Sequence, residues 1–408
     1  MKQNSNLYYF NPTCEYAVGN GSPNWQPNQL LRRMETDLDI LPMFFASSND
    51  FVLVGHLPSK THLEKLGRLG IEIPGFIQER DAFTNINIQT REWKGLKPWG
   101  WSPAAHKLLH PFKNNCSEDF KDLPVSNWNP GYRELYSKKF SLGILTRMLD
   151  EFPHNNFIPK DLKAVVCANR EEVETLISKW GKVMVKAPWS SSGRGLQPIT
   201  KTPVHPKVWE KLLAIIKDQG YVMVEPLLDK KLDIAFQFKA GKQRISFVGI
   251  SNFTADPKGR YIGNNLNGLP DDMDPELVEF AEFVPQIVVG PLIRVLETSE
   301  IAHSYDGFFG VDALIYEDEN GNLKINPCLE INLRYNMGLL SVLLESYLLP
   351  GKKGIYRTWF EPGRMYLDFK NQMEERHPVR LNGQRLESGF LSLTDPGAES
   401  RFGAYILI

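Results

Sequence analysis

The chain has 408 residues, 42% of them apolar and 23% charged, and a formal net charge of -1. That length supports two or three domains with cores of their own, and the composition is that of an ordinary globular chain. A charge near zero gives no bulk electrostatic case for nucleic acid or an anionic membrane.

No run of about 18 uncharged apolar residues occurs, and the start, MKQNSNLYYFNPTCEYAV, holds no apolar targeting segment. Cys14, Cys116, Cys167 and Cys328 are far apart and form no C-x-x-C. They read as free thiols of a reducing compartment, not as a zinc site or a disulfide framework. A cytoplasmic, enzyme-sized protein is the expectation.

Residues 1–130 read as a first α/β domain. Leu7–Phe10 is a strand that runs into a long polar loop, Asn11–Asn28, with Gly19 and Gly21. A helix over Asn28–Asp37, a buried strand Phe51–Gly55, a helix over Ser59–Leu69 and a strand Ile71–Ile73 follow, which together predict a small parallel sheet. The Asn11–Asn28 loop lies past the first strand's carboxyl end, where open α/β sheets bind ligands. Its Gly, Asn, Glu and Ser content could read a small polar substrate, and equally makes turns. The aromatic run PWGWSP (98–103) reads as domain-interface packing.

Ser137 is placed to cap a helix with Leu142, Leu145, Met148 and Leu149 at helical spacing. Lys138 and Lys139 fall in its first turn, where cations oppose the macrodipole unless an anion sits nearby; solvated lysines are the plain alternative. Asn169 caps a helix over Arg170–Trp180 that Gly181 ends. In KVMVKAPWSSSGRGLQPI, Lys182–Lys186 is a strand, Trp189–Gly195 a Ser/Gly loop and Leu196–Ile199 a returning strand. The loop is not a Walker A motif, but small residues expose backbone N–H groups that can cradle phosphate, within reach of Lys186.

Pro206–Gln219 is a helix, Tyr221–Glu225 a strand, Pro226–Lys231 a connector and Leu232–Phe238 a strand. Unpaired backbone groups in such a connector can read an adenine edge, and Glu225 or Asp233 can accept ribose hydroxyls; surface charge is the alternative for each. Arg244–Ile250 is a strand, Ser251–Gly268 a long polar loop, and Pro275–His303 a long helix or two, broken at Pro285 or Pro291.

Gly310–Tyr316 and Leu323–Leu333 flank a tight polar turn and predict a hairpin. Its turn brings Asp312 opposite position 329 or 330. Glu330, Asn332 and Arg334 share one face by alternation. Two carboxylates and an amide oxygen then offer the all-oxygen set of a hard divalent cation, with Arg334 as a fork for phosphate. An amphipathic strand with a solvated polar face fits the same pattern. Pro327 implies a bulge or an edge position in the second strand. A helix over Gly338–Leu348 follows, and SGFLSLTDPGAESRFGAYILI closes the chain as strand–turn–strand.

This ordered set resembles the ATP-grasp superfamily over roughly Ser137–Leu349, about half of the chain. The fold class implied is α/β (α+β): an N-terminal Rossmann-like pre-ATP-grasp domain, then an ATP-grasp fold whose two α+β subdomains clamp ATP. Its boundaries fall at 1–130, at 131–349 with a lid subdomain at about 155–228, and at 350–408, a C-terminal extension packed on the core. By this resemblance Lys186 looks like the phosphate lysine and Ser190, Ser191, Ser192, Gly193 and Gly195 like the lid. Lys139 resembles the second nucleotide lysine, with Lys138 as the alternative. Glu225, Pro226, Leu227 and Leu228 resemble the adenine hinge, and Asp233 the ribose carboxylate. Asp312, Glu330 and Asn332 match metal ligands, and Arg334 the phosphate-facing arginine; Lys186 and Arg334 are the catalytic pair. NPTCEYAVGNGSPNW also resembles the start of a group of bacterial ATP-grasp proteins.

The resemblance implies ATP and Mg2+ (two ions, or Mn2+) and a ligase that activates a small-molecule carboxylate as an acylphosphate for an amine. An ATP-grasp kinase and a non-catalytic ATP-binding protein are the rival readings. No recognisable biotinyl M-K-M segment occurs, which disfavours a biotin-dependent carboxylase. Arg244, Arg260, Tyr261, Asn264 and the Asn11–Asn28 loop are acceptor-side candidates by location only. No nucleic-acid or membrane partner is expected, and a homodimer is common among similar proteins.

Overall fold

Four parallel strands open the chain: β1 (Ser5–Tyr9), β2 (Phe51–Val54), β3 (Gly75–Gln78) and β4 (Trp93–Pro98), in the order β3-β2-β1-β4. This is the computed structural model of the protein, and it describes residues 5–190, 195–256 and 261–408. The third strand is Gly75–Gln78, not the expected Ile71–Ile73. Pro74 has no N–H to give a ladder, so pairing with β2 starts beyond it, with Gly75 opposite Phe51. The polar loop after β1 is also not all loop. Cys14–Asn20 forms a helix that ends at Gly21 in the left-handed region (φ +78°).

A second unit carries β5 (Val165–Cys167), β6 (Val183–Lys186), β7 (Leu196–Ile199) and β8 (Val222–Pro226), antiparallel in the order β5-β8-β6-β7. Helices Arg170–Trp180 and Pro206–Gln219 cover it and close a small core of its own around Val173, Ile177, Val183, Val185, Leu212 and Val224. Asn169 caps the first of these helices through Glu172 N, and Gly181 and Gly220 end the two. The connector out of β8 is short, because β9 (Asp229–Gly241) already starts at Asp229.

Among the described residues the largest sheet has eight strands. β9 is followed by β10 (Arg244–Ala255), β11 (Tyr261–Leu266), β12 (Gly307–Glu317), β13 (Leu323–Asn332) and β14 (Gly354–Phe360). The hairpin β15 (Arg380–Asn382)–β16 (Arg385–Ser388) stands apart, and β17 (Phe390–Ser392) and β18 (Phe402–Leu407) complete the strands. The order is β13-β12-β9-β10-β11-β14-β18-β17. Residues beyond 350 thus extend the same sheet. Most of the expected 251–268 loop is strand: Asn252 faces Asn265 and Thr254 faces Gly263 across β10 and β11.

The helix Pro275–Glu297 runs unbroken through Pro285 and Pro291, and the chain turns only at Thr298 before a short helix, Glu300–Ser304. Each internal proline costs the helix roughly 3 kcal/mol. Val284, Val288, Leu292, Val295 and Leu296 recur at helical spacing with no exposed surface. Burying five such side chains contributes about 1.5–3 kcal/mol each, which outweighs both breaks.

Candidate functional site

The register of β12 and β13 sets the centre of the site. Asp312 pairs with Glu330 and Gly310 with Asn332. The ladder then slips, with Leu314 opposite Asn326, so the segment around Pro327 bulges out of it. β13 is also the edge strand, so the missing proline N–H interrupts no inner ladder. Directly opposed carboxylates repel. Burial first and Glu330 second push the Asp312 carboxyl up to about 7, against the opposing pull of Arg334 and Asn332.

Two lysines reach this region from separate elements. Ser137 caps the helix Lys138–Glu151 by accepting from Phe140 N at 3.1 Å, which places Lys138 in its first turn. Lys138 Nζ lies 2.6 Å from Glu330 Oε1 and donates to Ser190 O at 3.0 Å. Its side chain is 5% exposed. Lys139 points elsewhere: its ammonium lies 5.7 Å from the Tyr221 ring centroid. Of the two candidates the structure brings Lys138, not Lys139, to the carboxylates. The second inward lysine is Lys186, at the end of β6, 2.5 Å from Glu225 Oε1 across to β8.

Arg334 is held from the N-terminal domain. Its Nε donates to Glu15 Oε1 at 3.0 Å and its Nη2 to Glu15 Oε2 at 3.4 Å. Nη2 also donates to Asn332 Oδ1 at 3.0 Å, and Nη1 to Tyr335 O at 3.3 Å. These bonds use four of the five guanidinium hydrogens, so little of the fork is left for a ligand. Glu15 sits on the helix Cys14–Asn20 and is buried. The approach is close: a Cβ on Gly100 would lie 2.2 Å from Cys14 Sγ and 3.0 Å from Arg334 Cβ. Tyr335 N donates to Trp99 O at 2.8 Å, and Trp99 packs edge-on to Phe10 and Phe45. Sequence reasoning counted Glu15 only as part of a polar loop and missed its pairing with Arg334. The signal that points to it is a carboxylate just past the carboxyl end of the first parallel strand.

The hinge candidates Glu225 and Pro226 end β8, and Leu227 and Leu228 form the step to β9, where Leu227 N donates to Lys182 O at 3.0 Å. Asp233 lies on β9, opposite Leu314 of β12, and pairs with Lys230 at 2.6 Å. Burial raises its carboxyl above the ordinary range. Ser190 is buried against Lys138, and Gly195 O accepts from Ala187 N at 3.0 Å. Ser191, Ser192, Gly193 and Arg260 lie outside the described residues. Tyr261 and Asn264 hydrogen-bond each other on β11, which β9 and β10 separate from β12. Arg244 is exposed at the start of β10.

Among the described residues no three His, Cys, Asp or Glu side chains surround a common point. The oxygen set at the hairpin is therefore two carboxylates plus the Asn332 amide. That set suits Mg2+, which takes one or two carboxylates and leaves its other positions to water and phosphate. One Glu330 oxygen already faces Lys138, which leaves the other for a cation.

No protein-family model matches the chain, and no curated protein matches its sequence. Solved structures do match. Biotin carboxylase from Campylobacter jejuni, solved as a β-γ-ATP complex, is 14% identical over 99% of this chain and 87% of its own, with a TM-score of 0.50. N5-carboxyaminoimidazole synthetase from Staphylococcus aureus, complexed with ADP, is 13% identical over 100% and 94% (TM-score 0.47). L-amino acid ligase from Bacillus licheniformis is 10% identical over 100% and 93% (TM-score 0.46). The parallel N-terminal sheet, the separate four-stranded unit and the eight-stranded sheet with its carboxylate hairpin together have the ATP-grasp fold.

Proposed function

We propose that this chain is an ATP- and Mg2+-dependent ligase that activates a small-molecule carboxylate and joins it to an amine. The observation that carries this reading is one convergence. Asp312 faces Glu330 across the hairpin, and Lys138 lies 2.6 Å from Glu330. Burial raises the carboxyl of Asp233 on β9, the strand beside β12, and Lys186, at the end of β6 in the four-stranded unit, exerts a lowering pull on it. The β-γ-ATP bound by the C. jejuni carboxylase of the same fold supports ATP as the phosphoryl donor.

In this reading a carboxylate oxygen attacks the γ-phosphorus. The bond to the bridging oxygen breaks, and ADP leaves with its electron pair. The amine nitrogen then attacks the acyl carbon, phosphate leaves with the C–O pair, and the nitrogen loses a proton to solvent. Asp312, Glu330 and Asn332 would hold Mg2+, which when bound would screen phosphate charge. Lys138 and Lys186 neutralise phosphate oxygens, and Glu330 and Glu225 hold the two ammonium groups inward. Glu225–Leu228 borders the adenine and Asp233 the ribose. Arg334, fixed by Glu15 and Asn332, offers its remaining N–H to a substrate oxygen.

The test is ADP release over a panel of amino acids, dipeptides and small carboxylates, with hydroxylamine added to trap acylphosphate as hydroxamate. A hydroxamate that falls at least about 100-fold in Asp312→Ala and Glu330→Ala supports the ligase. A stable phosphorylated alcohol instead supports a kinase. Tight ATP binding without turnover on any member of the panel supports a binding protein.

A further inference from the structure

A cleft of about 970 Å3 opens between the N-terminal domain and the four-stranded unit. Among the described residues, none of the proposed metal or nucleotide residues lines it. It abuts them through two separate segments. Tyr16 on its wall follows Glu15, the partner of Arg334. Trp189 on its other wall precedes Ser190, which accepts from Lys138. The two walls meet at Gly19, where a Cβ would lie 2.7 Å from Trp189 Cβ.

The cleft is flat-sided and aromatic. The rings of Tyr16 and Trp25 are parallel to within 10°, with centroids 6.5 Å apart. Trp189 is fixed in place: its Nε1 donates to Arg133 O at 2.9 Å and its N to Gln219 Oε1 at 3.1 Å. The one cation among the described lining residues is Arg133, and it is already engaged. Its guanidinium stacks 3.7 Å from the Trp189 ring centroid and donates to Val18 O (3.3 Å) and Gly19 O (2.8 Å). Asp218, exposed at the rim, is the one carboxylate among the lining residues, and the rest of the polar lining is neutral. Parallel ring faces take a planar group, by stacking or cation–π contact. Among the described lining residues Arg133 is committed to Trp189 and to backbone carbonyls, so the Asp218 carboxylate favours an ammonium and disfavours a phosphate or carboxylate.

We propose that this cleft binds the amine substrate, and that this substrate is an aromatic or heteroaromatic amine. The inference rests on the ligase reading for the role of the ligand, but the binding itself is measured without ATP. The probes are phenethylamine, its saturated analogue 2-cyclohexylethylamine and the anion 3-phenylpropionate, titrated into the full-length protein by calorimetry. The cleft predicts that phenethylamine binds at least about fivefold tighter than the saturated amine and that 3-phenylpropionate binds more weakly than either. Trp25→Ala abolishes the preference for the flat ring, Trp25→Phe retains it, and Asp218→Asn weakens both amines alike. A control titration with a non-hydrolysable ATP analogue confirms that each variant is folded. Equal affinity for the two amines, a preference that survives Trp25→Ala, or tighter binding of 3-phenylpropionate overturns the proposal. Loss of hydroxamate chemistry with the amine preference intact sinks the ligase reading and leaves the cleft standing. Hydroxamate formation without any amine preference does the reverse.

Discussion

Lys138 and Lys139 are adjacent and chemically identical, yet they face different environments. Successive residues on a helix point about 100° apart, so only one can face Glu330 once Ser137 has fixed the start of the helix. Spacing in the sequence leaves that choice open; the packing of the helix on β13 decides it. Lys138→Met is therefore expected to raise the KM for ATP or lower kcat at least about tenfold, and Lys139→Met to stay within about threefold, read by steady-state ADP release. A second consequence at this scale concerns Glu35. Burial pushes its carboxyl up to about 7, against hydrogen bonds from Thr13. A folded-state value above the ordinary one means that stability is greatest below about 4.5 and is lost as pH rises through 7. Glu35→Gln should stabilise the protein by roughly 1–3 kcal/mol at pH 8 and by much less at pH 5. Denaturant titrations at the two pH values check this, and an equal effect at both contradicts it.

The hairpin β12–β13 is the element that the sequence makes most legible. Alternation puts Glu330 and Asn332 on one face; the polar turn leaves Asp312 opposite 329 or 330, and Pro327 signals a bulge or an edge. The structure has Asp312 opposite Glu330, with both a bulge and an edge. Other elements were hidden by local chemistry. The seven residues of Cys14–Asn20 are flanked by turn formers, so their helix, and Glu15 with it, is masked. The prolines of Pro275–Glu297 signal breaks that core burial overrides. The polar residues of β10 and β11 read as loop because ladder pairing, not hydrophobicity, makes them strand. The bulged hairpin needs outside support, which the Lys138–Glu151 helix gives. The buried Ser141 Oγ accepts from Ile331 N at 2.9 Å. Ser141→Ala leaves that N–H unsatisfied and should cost about 1–3 kcal/mol of stability by denaturant unfolding. A change below about 0.3 kcal/mol contradicts the clasp.

Across the whole molecule, the fold class was legible, whereas the route by which the parts are joined was not. Periodicity marks each unit separately, but contacts such as Glu15 with Arg334 span 319 residues of chain and follow no local pattern. That pair fastens the N-terminal domain to the carboxylate hairpin. Removing one partner of a buried ion pair leaves an uncompensated charge, so Glu15→Ala should destabilise the protein by roughly 3–5 kcal/mol. It should also lower turnover in the surviving folded fraction. Unchanged thermal stability would show that the two units are not coupled through this pair. The central claim, that a carboxylate is activated by phosphoryl transfer, is tested most directly by isotope. An acid that supports ADP formation is labelled with 18O in its carboxylate and turned over with ATP and an amine, and the released phosphate is weighed by mass spectrometry. The ligase chemistry predicts one 18O carried from the carboxylate into each phosphate. Unlabelled phosphate, or phosphate retained on an organic product, contradicts it.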